Sequence, residues 1–288
     1  MSDLSQAQAA DREKTLLTAL LLSAPGPLVL GYAALAGNST TQLADFVRRT
    51  IELVALFLSW WVFRRLQRDT SLSQGDQSRL EHAAGLGASL IHYSTDYVFN
   101  GSKGSPYIEA DFPNPLGVYG SSKLAGERAI SQIGGAYLIL RTSWVYSTRR
   151  PSFVTKVLEW SRQQPALRMV TDQVANPTSA RMLAEITALL LAKAAPHPTQ
   201  WIEERAGIYH LAGSGIASRL EWAQDILELD PHPTEQITRK IVPALTADFP
   251  TPAQRPLYSA LNCELFEQTF GLRLPDWPEA LRLTLDKS

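Results

Sequence analysis

The chain has 288 residues, with 27 Lys and Arg, 28 Asp and Glu, and a single cysteine, Cys263. A formal charge of −1 excludes the basic excess of a nucleic-acid binder, and one thiol excludes a disulfide framework or a thiolate zinc cluster. Five scattered histidines signal no metal site, and the length suits one large domain or two modest ones.

The first predicted elements are apolar. Residues 15–44 carry no charge, and residues 15–37 are long enough to span a bilayer as a helix. Pro25-Gly26-Pro27 interrupts them; that triplet breaks a helix in water but is tolerated among neighbours in a membrane. A second run, 50–63, contains Glu52 and closes on Trp60, Trp61, Arg64 and Arg65, as at a membrane interface. Charged residues at 11–14 and the lack of a small-x-small site fit a cleavable signal peptide poorly. Two readings stand: a membrane-associated segment over 15–66, or a pair of buried helices of a soluble domain. A hairpin would leave Arg64, Arg65 and Arg68 on the cytoplasmic side, while Arg48 and Arg49 between the spans argue against it.

Residues 68–79 read as a polar linker. Beyond it, strand-like runs are predicted at 89–92 (ending at Ser94-Thr95), 136–141, 167–170 and 207–211. Helical periodicity is predicted at 119–133, 153–162, 179–194 and 219–229. The last forty residues read as loops and short helices. This alternation predicts an α/β layered domain over 80–288 with a mainly parallel sheet.

The chemistry concentrates at Tyr119-Gly-Ser-Ser-Lys123. Tyr and Lys four apart share one helix face. A phenol alone titrates near ~10, and an adjacent ammonium favours its phenolate. Thr95 or Ser94, at a strand end where ligands of such sheets sit, is the natural hydroxyl to bind a reacting carbonyl oxygen. Asp96 and Glu127 read as a turn residue and a helix-face partner, and Asn100 as a turn residue.

Several ordered motifs resemble the extended short-chain dehydrogenase/reductases, and more narrowly the dTDP-4-dehydrorhamnose reductase family. They are Ser94-Thr-Asp-Tyr-Val-Phe99, Pro115 through Glu127, Arg141-Thr-Ser-Trp-Val-Tyr146, Asn176-Pro-Thr-Ser-Ala180, Gly207 through Gly213, and Phe249 through Pro256. The resemblance covers about residues 79–286. It implies a Rossmann-like parallel sheet with a small C-terminal substrate-binding subdomain; in this chain the sheet is expected to be truncated and preceded by one or two apolar helices. It also implies reduction of a sugar C4 ketone with NADPH, for cell-surface polysaccharide precursors. Tyr119 would donate the proton, Lys123 would assist it and bind the nicotinamide ribose, and Thr95 would hold the carbonyl. Tyr119 and Ser94 would also touch the cofactor. Asp96, Trp144 and Arg255 would face the nucleotide sugar, Arg255 toward its diphosphate. The resemblance further implies a cytoplasmic protein, leaves a homodimer open, and allows Mg²⁺ without placing it on residues; an anchor at 15–66 would put the protein on the cytoplasmic face of the inner membrane instead.

The front departs from that family. No Gly-x-x-Gly-x-x-Gly or Gly-x-Gly-x-x-Gly occurs in the chain; Gly31 and Gly37 are too far apart, and Gly85-x-Gly87 sits in a predicted helix-to-strand connection. Residues 11–69 instead resemble the start of a cation diffusion facilitator transporter, through Asn38-Ser39 and Leu43-Ala-Asp45, although position 49 is Arg. Besides the reductase, a remnant that only binds nucleotide sugar and a membrane-anchored derivative are therefore carried as alternatives.

Overall fold

The computed structural model describes residues 88–286. The apolar segment at 1–67, the membrane hairpin at 15–66, the transporter resemblance at 11–69, the linker at 68–79 and the Gly85-x-Gly87 connection lie outside these residues.

Among the described residues three parallel strands form the central sheet: β1 (Leu90–Thr95), β2 (Tyr137–Thr142) and β7 (Gly207–His210), in the order β1-β2-β7. Leu90 pairs with Tyr137 and Thr95 with Thr142; Leu138 pairs with Gly207 and Arg141 with His210. β2 is the middle strand, and its Leu138, Ile139 and Leu140 are wholly buried. Burial on both faces explains an apolar run without alternation. Each such side chain contributes roughly 1.5–3 kcal/mol of transfer free energy.

Helix α1 (Val118–Ile133) crosses from β1 to β2. It is preceded by Gly117 and ends at Gly134, whose φ of 72° only glycine adopts without strain. Its inward positions are Gly120, Leu124, Glu127 and Ile130, spaced as one helix face requires.

The second half follows the two-residue strand β3 (Val145–Tyr146). Helix α2 (Phe153–Ser161) opens with a reciprocal cap between Ser152 and Thr155. Strand β4 (Ala166–Val170) leads to the short strands β5 (Val174–Ala175) and β6 (Thr178–Ser179), then to helix α3 (Ala180–Ala194) and helix α4 (Pro198–Glu203). After β7 come β8 (Ala217–Ser218) and α5 (Arg219–Glu228), capped by Ser218 and Glu221. β9 (Lys240–Ala244), α6 (Glu264–Phe270) and α7 (Trp277–Leu285) complete the chain.

β4 and β9 pair in parallel, β3 pairs in parallel with β6, and β5 pairs antiparallel with β8. One core lies among β2, β7, α3 and α6, around Leu138, Ile186, Leu211 and Phe266. Another lies among α2, α5, β4 and α7, around Val157, Leu167, Trp222 and Leu281. A smaller cluster of Val98, Phe99, Tyr107, Leu124 and Leu261 fills the space below the C-terminal end of β1.

Among the described residues no helix is long and apolar enough to cross a membrane. No group of three or more His, Cys, Asp and Glu side chains among them could hold a metal ion, so Mg²⁺ has no ligand set there.

Candidate active site

β1 ends at Thr95, and the chain turns at once into a 3-10 turn, Asp96–Val98. Thr95 causes that turn: its Oγ1 accepts the Tyr97 backbone N–H at 3.2 Å. The same hydroxyl donates to Asp96 Oδ1 at 3.1 Å. Asp96 is 2% exposed. Its other oxygen accepts Ser143 Oγ at 3.1 Å and the Ser259 hydroxyl. Burial pushes this carboxyl up to about 6, opposed by the three hydroxyls and by Arg219. Asp96 thus ties β1 to the β2–β3 bend and to the segment around Ser259. The turn role read from sequence describes it, and its oxygens are engaged with the protein where the resemblance set them toward substrate.

Helix α1 lies directly on this turn. A Cβ at Gly120 would sit 2.1 Å from the Tyr97 carbonyl oxygen and 2.9 Å from Pro115 Cβ, so only glycine fits. That approach sets Tyr119 beside Tyr97, ring edge to ring face, with centroids 6.1 Å apart. Tyr119 is 59% exposed and offers its phenol to the mouth of the site.

One turn along α1, Lys123 reaches back under the helix. Its Nζ lies 3.1 Å from His92 Nε2 and donates to the Tyr93 carbonyl. Burial holds this ammonium below its usual range, with Glu127 opposing. The ring of His92 is likewise lowered, first by burial and then by Lys123. Ser94 donates its hydroxyl to Glu127, and Glu127 takes Arg141 in a fork of 2.7 to 3.2 Å. Ser94 is therefore committed to a buried ion pair beneath α1 and is not turned toward a cofactor.

A pocket of about 500 Å³ lies among α2, β4 and the start of α5. Phe153, Trp160 and Phe249 supply aromatic walls, and Lys156, Arg168, Arg219 and Arg255 supply positive charge; no carboxylate lines it. Arg168 is paired with Asp248 at 2.7 Å. Arg219 differs: its guanidinium lies 3.5 Å over the Trp144 ring and 4.8 Å from the Phe153 centroid. It makes no side-chain hydrogen bond or direct ion pair among the described residues. Burial pushes it down to about 10, with Arg255 adding to the fall and Tyr97 and Asp96 opposing it. Burial raises the Tyr97 phenol above its usual range, with Asp96 and Tyr119 adding to the rise and Arg219 and Arg255 opposing it.

Trp144 lies behind the pocket's Arg219 and does not itself line the pocket. Its φ of 37° is left-handed, which for a bulky residue costs on the order of 1–3 kcal/mol and clusters at ligand sites. The strain turns its ring flat onto Trp222, with centroids 5.4 Å apart and planes at 15°. Thr95, Tyr119 and Lys123 thus meet residues at the end of β1 and its following turn, while Trp144 lies against Arg219 and Arg255 lines the pocket. Sequence reading missed His92, Tyr97, Lys156 and Arg219. Arg219 followed a visible helix cap, Ser218 with Glu221, but nothing in that cap signals a ligand.

The RmlD substrate binding domain family matches residues 74–288. The transporter resemblance, which precedes this match, gains no support from it. The dTDP-4-dehydrorhamnose reductase of Sinorhizobium fredii (strain NBRC 101917 / NGR234) is 43% identical over 209 residues, covering 72% of this chain and 69% of the relative. That of Escherichia coli (strain K12) is 38% identical over 203 residues, covering 70% and 66%. A crystal structure of a dTDP-4-dehydrorhamnose reductase from Clostridium acetobutylicum superposes with TM-score 0.65 at 31% identity, covering 74% of this chain and 70% of that one. The Bacillus anthracis enzyme in complex with NADP gives TM-score 0.64 at 28% identity, covering 74% and 71%. The chain spans about two thirds of the length of these curated relatives. It belongs to the RmlD substrate-binding domain family, that of the dTDP-4-dehydrorhamnose reductases.

Proposed function

We propose that the chain reduces the C4 ketone of dTDP-4-dehydro-L-rhamnose to give dTDP-L-rhamnose. The observation that carries this is an exposed phenol with a lysine one turn on, in a chain that also holds an acid-free basic and aromatic pocket whose arginines act on the neighbouring Tyr97. The pocket suits a nucleoside diphosphate, with aromatic faces for the base and Arg219 and Arg255 for the phosphates. Arg219 fits this role because its donors have no acceptor among the described residues.

The residues at the end of β1 fit the nicotinamide end of NADPH: Lys123 would hold a ribose hydroxyl, and Tyr119 would stand at the reacting carbon. When bound, NADPH would supply the hydride. Tyr119 would give its phenolic proton to the C4 oxygen, with Lys123 one helical turn further along the same helix. The Thr95 hydroxyl turns from Asp96 to the developing alkoxide, since a hydroxyl rotor re-aims at little cost. Trp144 closes the sugar side against water. The reductase-like domain at 80–288, the cytoplasmic location and the homodimer belong to this proposal and rest on the family resemblance.

A second reading, a nucleotide-sugar binder without turnover, is favoured by one fact: the chain holds no glycine-rich dinucleotide pattern. One pair of measurements separates the two. With dTDP-4-dehydro-L-rhamnose and NADPH, the reductase reading expects loss of NADPH absorbance, reduced about 10²–10⁴-fold in Tyr119→Phe. Calorimetric binding of dTDP-L-rhamnose with no NADPH oxidation at high protein concentration would leave only the binder.

A further inference from the structure

His92 and Ser94 occupy alternate positions of β1 and therefore face the same side of the sheet. Both meet α1. Ser94 donates to Glu127, and His92 meets Lys123, one helical turn earlier. Among the described residues the charged side chains facing His92 are thus Lys123 and Glu127 from α1, with Glu127 held by Arg141 of β2. Its partner across the β1–β2 ladder is apolar Ile139.

An ammonium carries three donors and no acceptor. Lys123 directs one N–H to the Tyr93 carbonyl, and a second meets His92 Nε2 at 3.1 Å. Because Lys123 can only donate, Nε2 must be the accepting nitrogen and Nδ1 must carry the ring hydrogen.

We propose that His92 is a positioning residue for Lys123: its imidazole and the Tyr93 carbonyl hold two of the three ammonium hydrogens and leave the third for a ligand hydroxyl. Lysine side chains lose much rotamer freedom when fixed. Anchoring one on a strand of the sheet spares that loss at the moment of binding. The inference rests on the reductase reading for its consequence, but not for its geometry.

The test has two arms. Nitrogen NMR of the whole chain at neutral pH should show His92 as the Nδ1–H form, and Lys123→Met should move its titration up toward the ordinary 6.5. An Nε2–H form, or a titration unmoved in Lys123→Met, overturns the proposal without any turnover being needed. In the NADPH assay, His92→Leu should raise KM for NADPH about tenfold, as expected for loss of a charged hydrogen bond. His92→Gln, which keeps an acceptor, should stay within about twofold of the parent. Equal KM in His92→Leu and the parent overturns it. If no variant or parent turns over, the reductase reading fails and the NMR arm alone decides.

Discussion

Arg219 shows how a single side chain can be set for a ligand at the expense of its own solvation. A guanidinium has five donors in a fixed fork. Here they meet aromatic faces, and burial lowers the group's affinity for its proton. Removing an uncompensated buried charge relieves the fold, whereas removing a phosphate ligand weakens binding. Arg219→Ala should therefore bind dTDP-L-rhamnose at least about tenfold more weakly by calorimetry, with a denaturation midpoint no lower than the parent's. Arg219→Lys should not restore binding, because a point charge lacks the fork. A variant that binds normally would remove Arg219 from the pocket's chemistry. At this scale the sequence was legible where a spacing rule applies. Tyr119 and Lys123 lie one turn apart, and Thr95 ends a strand. It was silent where the role depends on which side chains a fold brings near. Arg219 meets Trp144 across 75 positions of chain, and Asp96 meets Ser259 across 163.

At the scale of elements, the placement of α1 on the 3-10 turn decides the site. Gly120 permits the contact, and its neighbour Tyr119 inherits its position from it. Gly120→Ala would bring a methyl group into the Tyr97 carbonyl and force helix and turn apart. The expected cost is about 1–3 kcal/mol in urea denaturation, with turnover falling by more than the stability loss explains. An unchanged midpoint would mean that the turn gives way freely. The principal elements were legible because each is long enough to show a period. β2 announced itself as a buried run, and α2 and α5 carry their caps in sequence as Ser152 with Thr155 and Ser218 with Glu221. Strands β3, β5, β6 and β8 have two residues each, too few for any alternation. β9 escaped because Pro243 interrupts it; it pairs in parallel with β4 alone among the described strands, where a missing N–H can be tolerated.

For the molecule as a whole, two buried groups give stability opposite slopes with pH. Asp96 titrates at about 6 when folded against 3.8 otherwise. Its contribution is therefore full below about pH 4 and is lost as pH rises to about 6. His210 is wholly buried, and burial with Arg141 lowers it to about 3 from 6.5. Its contribution is full above about 6.5 and is lost as pH falls toward 3. The two offset each other between about pH 4 and 6. Asp96→Asn removes the first slope. The stability difference between variant and parent should shift in the variant's favour by on the order of 3 kcal/mol from pH 4 to above 6, then level off. A difference independent of pH in urea titrations would show that Asp96 does not titrate there. The parallel α/β plan was legible from alternating strands and helices. The pairing of β4 with β9 was not, since their register joins Ala166 to Lys240 across most of the second half.

The hydroxyl that Ser259 lends to Asp96 has a consequence in time as well as in space. The three-stranded sheet joins residues 47 and 69 positions apart, and the floor of the site joins residues 163 apart. Such distant partners make a high contact order, which slows the search for the native topology. During synthesis β1 and α1 emerge long before Ser259 does. For that interval a carboxyl that will end fully enclosed has only part of its enclosure, and the edges of the nascent sheet are open to wrong partners. The site's last hydrogen bond is thus also one of the last that the growing chain can make.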